Sequence, residues 1–480
     1  MANVSTDSTT FYWHDYETFG ADPARDRPCQ FAGIRTDLDL NIIGDPLVVY
    51  CKPSNDFLPS PEACLITGIT PQIALEKGIP EAEFISKIHA ELSQPGTCGV
   101  GYNNIRFDDE FTRHSLYRNF FDPYAREWQQ GNSRWDLLDI VRLTRALRPD
   151  GIHWPVNSEG EPSNRLEDLT KANGIEHASA HDALSDVYAT IAVAKLIKQQ
   201  QPKLFEYMFQ MRHKARVLEL LNIRTMQPIV HVSGMFPSEH GHTAIVVPIA
   251  EHPKNKNGVI VYDLSASPEP LIQLDVETIH QRLFTPRSEL PEGTERIPLK
   301  TIHVNKCPVV APLGTLTPEA AERRNISLEL TQTHLTKIKQ AKALNTKIQS
   351  VFTLTEFSQQ SDPDLMLYSG GFFSPADRQR MDQVRKSPID QLAQLHLGFD
   401  DRRLNEMLFR YRARNYPHTL STEEQEIWEE YRIARITDPA AGAGIVIDDY
   451  YQQLNALYQT EDAKIDILNA LADYADQLAG

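Results

Sequence analysis

Phe11 to Gly20 reads FYWHDYETFG, an apolar run that ends in two acids two residues apart. Side chains of a strand alternate between faces, so Phe11, Trp13, Asp15 and Glu17 share one face. Two carboxylates held that close repel each other, and partial burial adds to the cost unless a cation lies between them. The stretch therefore reads as a pair of ligands for a hard divalent metal, magnesium first, presented from a rigid strand. A solvated strand end with two surface acids is the competing reading, and Asp-x-Glu alone favours it. What decides is whether further acids arrive at compatible places.

Working outward, Asp26–Thr36 and Ile42–Lys52 read as two further strands, and LITGITP at Leu65–Pro71 as a loop holding an apolar cluster. That cluster is either an ordinary turn or an apolar wedge beside a base. Phe84, Ile88 and Leu92 recur at helical spacing. A short buried strand, Cys98–Tyr102, leads into NNIRFDDEF, which places Asp108 at a helix start, where a carboxylate is favoured. Further on, RLEDLTKANGIEHASAHDALSDVYATIAVAKLIK at Arg165–Lys198 has a loop in its middle and a long helix from near Asp182. His181 precedes that helix and Asp186 lies in its first turns, so a loop histidine can swing over a metal that the aspartate holds. A lone residue there would more often be a helix cap.

Between Arg106 and Arg148, eight arginines (106, 113, 118, 126, 134, 142, 145 and 148) interleave with Tyr117, Phe120, Phe121, Tyr124, Trp128 and Trp135. Guanidinium groups for phosphates and rings for bases make up a single-strand track. Local ion pairs and core rings are the alternative for any one of these residues, and the set favours the track.

The chain has 480 residues, enough for about three domains. Its apolar fraction of 41% and aromatic fraction of 9% supply ordinary cores. No apolar run is long enough for a membrane span, and the polar start, MANVSTDSTT, has no secretory pattern. Five scattered cysteines without a CxxC pair imply free thiols in a reducing cytoplasm and argue against a zinc site. The formal charge of −17 weighs little against a nucleic-acid partner when the basic residues are clustered. Ile229–Phe236, Thr243–Ala250, Gly258–Leu264 and Lys300–Val310 are short β-rich runs, suggesting a small barrel or sandwich. Helices take over from Glu319, and a polar linker at 358–364 precedes a final, almost wholly helical region. Its arginines at 402, 403, 410, 412 and 414 read as a solvated face.

Asp15, Glu17, Asp108 and Asp186, with His181, form one constellation. Four carboxylates can hold two divalent ions about 3.5–4 Å apart, which activate a water and stabilise the leaving oxygen of a phosphodiester. A histidine over them would be the general base. The set resembles the DEDDh exonuclease superfamily, whose nuclease domain is a ribonuclease-H-like α/β fold; the tyrosine variant is excluded because position 182 is Asp. HDYETFG, LITGITPQ, GYNNIRFDDE, NSRWDLLD, VHVSGMF, NKCPV and YRARNYP extend the resemblance to bacterial exonuclease I over nearly the whole chain.

That resemblance implies an exonuclease domain at 10–200, an SH3-like domain with appended helices at 201–357 and a helical C-terminal domain at 358–480. It implies degradation of single-stranded DNA from the 3′ end to 5′-mononucleotides, in repair and recombination, by a cytoplasmic monomer using two magnesium ions, with manganese as a substitute. Asp15, Glu17, Asp108 and Asp186 become metal ligands and His181 the base. Glu17 and Arg165 would contact substrate, and Arg113, Tyr124, Trp128, Arg142 and Lys214 would line the strand's path. The family also docks the acidic C-terminal tail of single-stranded-DNA-binding protein, for which Arg148 and Tyr207 are candidates. Gln227 stands where a lysine is expected, and Lys337 and Lys339 are its candidate substitutes. A proofreading subunit or small RNA exonuclease would end near residue 200, and a catalytically dead binding scaffold would have lost one of the five positions.

Overall fold

The computed structural model describes residues 9–177, 182–355 and 360–479. They form two compact units, one of Met1–Ser133, His177–Ile191 and Gln359–Gly480, the other of Arg134–Glu176 and Ala192–Ser358.

The first unit is built on β1 (Thr10–Thr18), β2 (Pro28–Thr36), β3 (Ile42–Tyr50) and β4 (Thr97–Gly101), side by side in the order β3-β2-β1-β4. β1 runs antiparallel to β2 along its whole length but pairs in parallel with β4 only from Thr10 to Trp13. The edge strand β3 is largely exposed and carries Pro46, a residue that an interior strand could not accommodate. Behind β1, Tyr12, Tyr16 and Phe31 pack with Phe84, Ile85, Ile88 and Leu92, the apolar stripe of helix Glu81–Leu92. Trp13, on the other face, is wholly buried and its indole N–H donates to Thr36 Oγ1 at 2.9 Å.

The expected loop at Leu65–Pro71 is a correction. Helix Pro61–Thr67 occupies its first residues, and Gly68 caps it at φ 71°, a left-handed conformation that glycine adopts without strain. Thr70 then caps the next helix, Pro71–Lys77, so only Gly68 to Thr70 connect.

The helices Arg403–Asn415, Thr422–Thr437, Ile447–Tyr458 and Ile465–Ala479 share cores with the N-terminal residues of the same unit. Phe19, Phe57, Leu58, Cys64 and Ile69 pack with Ile436, Tyr450, Leu454, Leu468, Leu471 and Tyr474. The arginines of the first of these helices also correct the sequence reading. Arg403, Arg410 and Arg412 are buried, and the Arg414 side chain is 5% exposed. They avoid the cost of isolated buried charge by pairing with acids: Arg414 with Asp56 and Asp364 at 2.8 and 2.7 Å, Arg410 with Asp364 at 2.9 Å, and Arg412 with Glu424 at 2.6 Å.

The chain leaves this unit through β5 (Ser133–Asp136). The second unit contains a five-stranded antiparallel sheet of β6 (Ile229–Val232), β7 (Thr243–Glu251), β8 (Gly258–Asp263), β9 (Leu299–His303) and β10 (Val309–Pro312), ordered β10-β6-β7-β8-β9. The run Lys300–Val310 is thus two strands rather than one. Pro308 cannot donate to a ladder, and Cys307 before it sits at φ 44°, which breaks the run. Helices Glu269–Gln273 and Val276–Phe284, between β8 and β9, went unread in the sequence. Asp275 starts the second of them, its side chain accepting the Thr278 N–H at 2.7 Å. The five cysteines are free thiols, and among the described residues no helix is long and apolar enough to cross a membrane.

Candidate active site

Because β4 stops pairing with β1 at Trp13, the last residues of β1 have backbone free on that side. The Tyr16 N–H uses this freedom to donate to Asp108 Oδ1 at 3.0 Å. Asp108 opens helix Asp108–Arg118 and is itself 2% exposed, so a backbone donor, the helix start and burial fix it beside the strand. Asp186 comes from the first turn of helix Ala183–Gln200, closed by its N–H to the Asp182 carbonyl at 3.0 Å.

Asp15, Glu17 and Asp186 present ligand atoms that all lie within 4.8 Å of one another. Asp108 lies outside that trio but within its field. Burial first, then Asp108, Glu17, Asp186 and Asp182, push the Asp15 carboxyl well above its ordinary range. Burial followed by Asp186, Asp108 and Asp182 pushes Glu17 up to about 8. Carboxylates gathered this way are a ligand set for a hard divalent cation, which would replace the repulsion with attraction. His181, the expected base, lies outside the described residues.

This field makes metal binding pH-dependent in a definite direction. Near pH 6 Glu17 holds a proton that a cation must displace, and above about 8 it has already lost that proton. Divalent-cation affinity of the DNA-free protein should therefore rise between pH 6 and pH 8 and flatten beyond, with proton release greatest at the acid end. Calorimetry in buffers of different ionisation enthalpy measures both quantities. A flat affinity over that range would contradict the crowded-acid geometry.

Two nearby residues escaped the sequence reading. His177 Nε2 lies 2.5 Å from Asp186 Oδ1, with the imidazole 6% exposed. Asp182 adds a fifth negative charge that acts on both Asp15 and Glu17. The His-x3-His spacing of 177 and 181 was a visible signal, although it did not say which imidazole meets an acid.

The arginine-aromatic tract divides. Arg118, Arg126 and Arg113 are buried and paired with Glu81, Asp109 and Glu127 at 2.7, 2.6 and 2.7 Å. Tyr117, Phe120, Phe121 and Trp135 are core rings. For these the structural alternative prevails. Arg113 also bonds Glu110 at 2.8 Å, and its guanidinium lies 5.5 Å from the centre of the Tyr124 ring. Trp128, by contrast, is 66% exposed. Tyr124 is half-buried and meets the exposed Phe372 edge-on at 5.9 Å, the two lining a cavity of about 220 Å³ with Tyr368 and Phe373. Tyr368 and Phe372 were not anticipated, since they follow the expected linker at 358–364 in a region read as almost wholly helical.

The other expected residues belong to the second unit. Arg142 bonds Asp139 at 2.7 Å, its guanidinium against Gly234, where a Cβ would come within 3.0 Å of Nη2. Arg165 is exposed and pairs with Glu167 at 3.3 Å. Lys214 Nζ donates to Asn257 at 2.6 Å. Arg148 donates to the Thr315 carbonyl at 3.1 Å and Tyr207 to the Val310 carbonyl at 3.1 Å, so both attend the segment that β10 begins. Lys337 pairs with Glu269 at 2.7 Å, and Lys339 is exposed.

Fold and acid cluster together define an exonuclease of the acidic, divalent-metal kind. A family model for Exonuclease matches residues 12–194, one for the Exonuclease I SH3-like domain 212–354, and one for the Exonuclease I C-terminal domain 361–478. The chain is 48% identical to exodeoxyribonuclease I of Escherichia coli K12 over 479 residues, covering 100% of each. It therefore belongs to the exodeoxyribonuclease I family. Exonuclease I from the moderate thermophile Methylocaldum szegediense superposes with a TM-score of 0.95 at 55% identity, over 98% of this chain and 100% of that one. E. coli exonuclease I in complex with a dA16 oligonucleotide does so at 0.94 and 48%, over the same shares. Related structures include a zinc-ion-bound E. coli complex with single-stranded DNA and an ExoI/SSB-Ct complex, at 0.93 and 0.92.

Proposed function

We propose that the protein degrades single-stranded DNA from the 3′ end, releasing 5′-mononucleotides, with magnesium held by Asp15, Glu17, Asp108 and Asp186. The observation that carries this is the convergence of three carboxylate ligand atoms within 4.8 Å at the open end of β1. Bound there, divalent ions would polarise the phosphodiester, lower the pKa of an attacking water and stabilise the departing oxygen. His181 would take the water's proton, while Glu17 and Arg165 hold the terminal nucleotide. Tyr124, Trp128, Arg142 and Lys214 would guide the strand. Support for the substrate comes from the dA16 complex of the E. coli relative. The ExoI/SSB-Ct complex supports docking of a single-stranded-DNA-binding protein tail on Arg148 and Tyr207, with Lys337 and Lys339 as further candidates. Monomeric action in the cytoplasm, in repair and recombination, completes the reading; the free thiols fit a reducing compartment.

The deciding experiment is product analysis on matched single-stranded DNA, duplex DNA and RNA, each blocked in turn at either end, with magnesium or with chelator. Mononucleotides should come from single-stranded DNA with a free 3′ end and only with metal. Cleavage that ignores a 3′ block would overturn the polarity, and a stable complex without products would make the protein a binding scaffold.

Trp128 isolates the stacking contribution. Its ring is too exposed to support the core, so Trp128→Ala should weaken DNA binding by about 1–3 kcal/mol per base contacted, with the salt dependence and melting curve unmoved. Normal affinity in Trp128→Ala would take this residue off the strand's path.

A further inference from the structure

His177 has no part in the reading above, yet its imidazole is placed directly on a metal ligand. We propose that His177 is a positioning residue that orients Asp186 for the divalent metal; this rests on the metal-centre reading and deepens it. The contact is Nε2 to Oδ1 at 2.5 Å, between side chains only 6% and 18% exposed. An ionised carboxylate only accepts, so the imidazole presents Nε2–H, and one carboxylate oxygen is committed. Asp186 offers a cation a ligand atom within 4.8 Å of those of Asp15 and Glu17, so the imidazole contact bears on where that ligand stands.

The choice of residue is chemically apt. Asp186 lies beside Asp15 and Glu17, and each repels it. Without an anchor its carboxylate would rotate away from them until a cation arrived. A lysine would supply the anchor, but with a permanent positive charge that competes with the metal. An imidazole offers an N–H donor in its uncharged form and a planar ring of fixed reach. The commitment of Nε2 also separates His177 in function from His181, four residues later. Hydrogen-bonded partners of ligating groups tune affinity in this way, commonly by 10–100-fold.

The test is magnesium binding to the full-length protein without DNA, by calorimetry, on wild type, His177→Ala, His177→Gln and Asp186→Asn. His177→Ala should bind magnesium about 10–100-fold more weakly. Its nuclease rate should fall at low magnesium and recover at high magnesium. His177→Gln, whose amide N–H can replace the donor, should restore most of the affinity, a recovery that a packing role would not give. If Asp186→Asn weakens binding while His177→Ala leaves it unchanged, the positioning role is overturned and the metal centre stands. Tighter binding in His177→Ala would overturn it as well, showing an imidazole that competes with the cation. If Asp186→Asn has no effect, the metal-centre reading fails and this inference falls with it.

Discussion

Asp15→Ala should lower cleavage of single-stranded DNA to background at every magnesium concentration while leaving a folded protein that still binds DNA. Asp15 is crowded, with Asp108, Glu17, Asp186 and Asp182 all acting on it. Its removal takes away one of three ligand atoms that lie within 4.8 Å of one another. The same crowding predicts the stability effect. Without metal, Asp15 and its neighbours destabilise one another, so deleting one carboxylate should leave the metal-free melting temperature unchanged or raised. Wild type should gain stability with added magnesium through preferential binding to the folded state, and the variant should lose most of that gain. A 3′-labelled oligonucleotide in single turnover, with melting curves in chelator and in magnesium, reads all of this. Wild-type turnover in the variant would remove the metal assignment, and a lowered metal-free melting temperature would show that Asp15 is structural.

The acids of the candidate metal centre were visible in the sequence because each sits where local rules apply. Alternation along a strand puts Asp15 and Glu17 on one face, a helix start explains Asp108, and the first turn of a helix explains Asp186. These are short-range facts. What the sequence did not disclose depends on partners far along the chain. Arg414 looks like a surface residue until Asp56, 358 positions away, is placed against it. Arg113 looks like a phosphate ligand until Glu127 takes both sides of its guanidinium at 2.7 and 2.8 Å. Charged residues on a helix carry no mark of their burial, since burial is decided by whether an opposite charge is also buried. Trp128 is the opposite case: its ring is open to solvent, which leaves it available to a base.

The pairing of Arg414 with Asp56 and Asp364 sets up a second large effect, this time on folding. Burial alone would raise both carboxyls. The guanidiniums of Arg414, Arg435 and Arg27 outweigh it at Asp56, and those of Arg414 and Arg410 outweigh it at Asp364, so both lie well below the ordinary range. Arg414→Met keeps much of the side-chain volume but takes one guanidinium from two buried acids, leaving Asp364 with Arg410 and Asp56 with Arg435, a loss of about 3–5 kcal/mol for a broken buried pair. The sign of its pH dependence follows. In wild type a depressed folded pKa means stability that is fully present above the unfolded value of about 3.9 and is lost as pH falls below it. In the variant the remaining cations depress both carboxyls less, so less of this stability is present at neutral pH and less is lost on acidification. The gap between the two proteins should therefore be widest near pH 7 and narrow as pH falls below about 4. Thermal unfolding across that range measures it. Arg414 also lies 5.8 Å from the Trp428 ring centre, and a gap of constant size at every pH would assign the loss to that packing instead of to the charges.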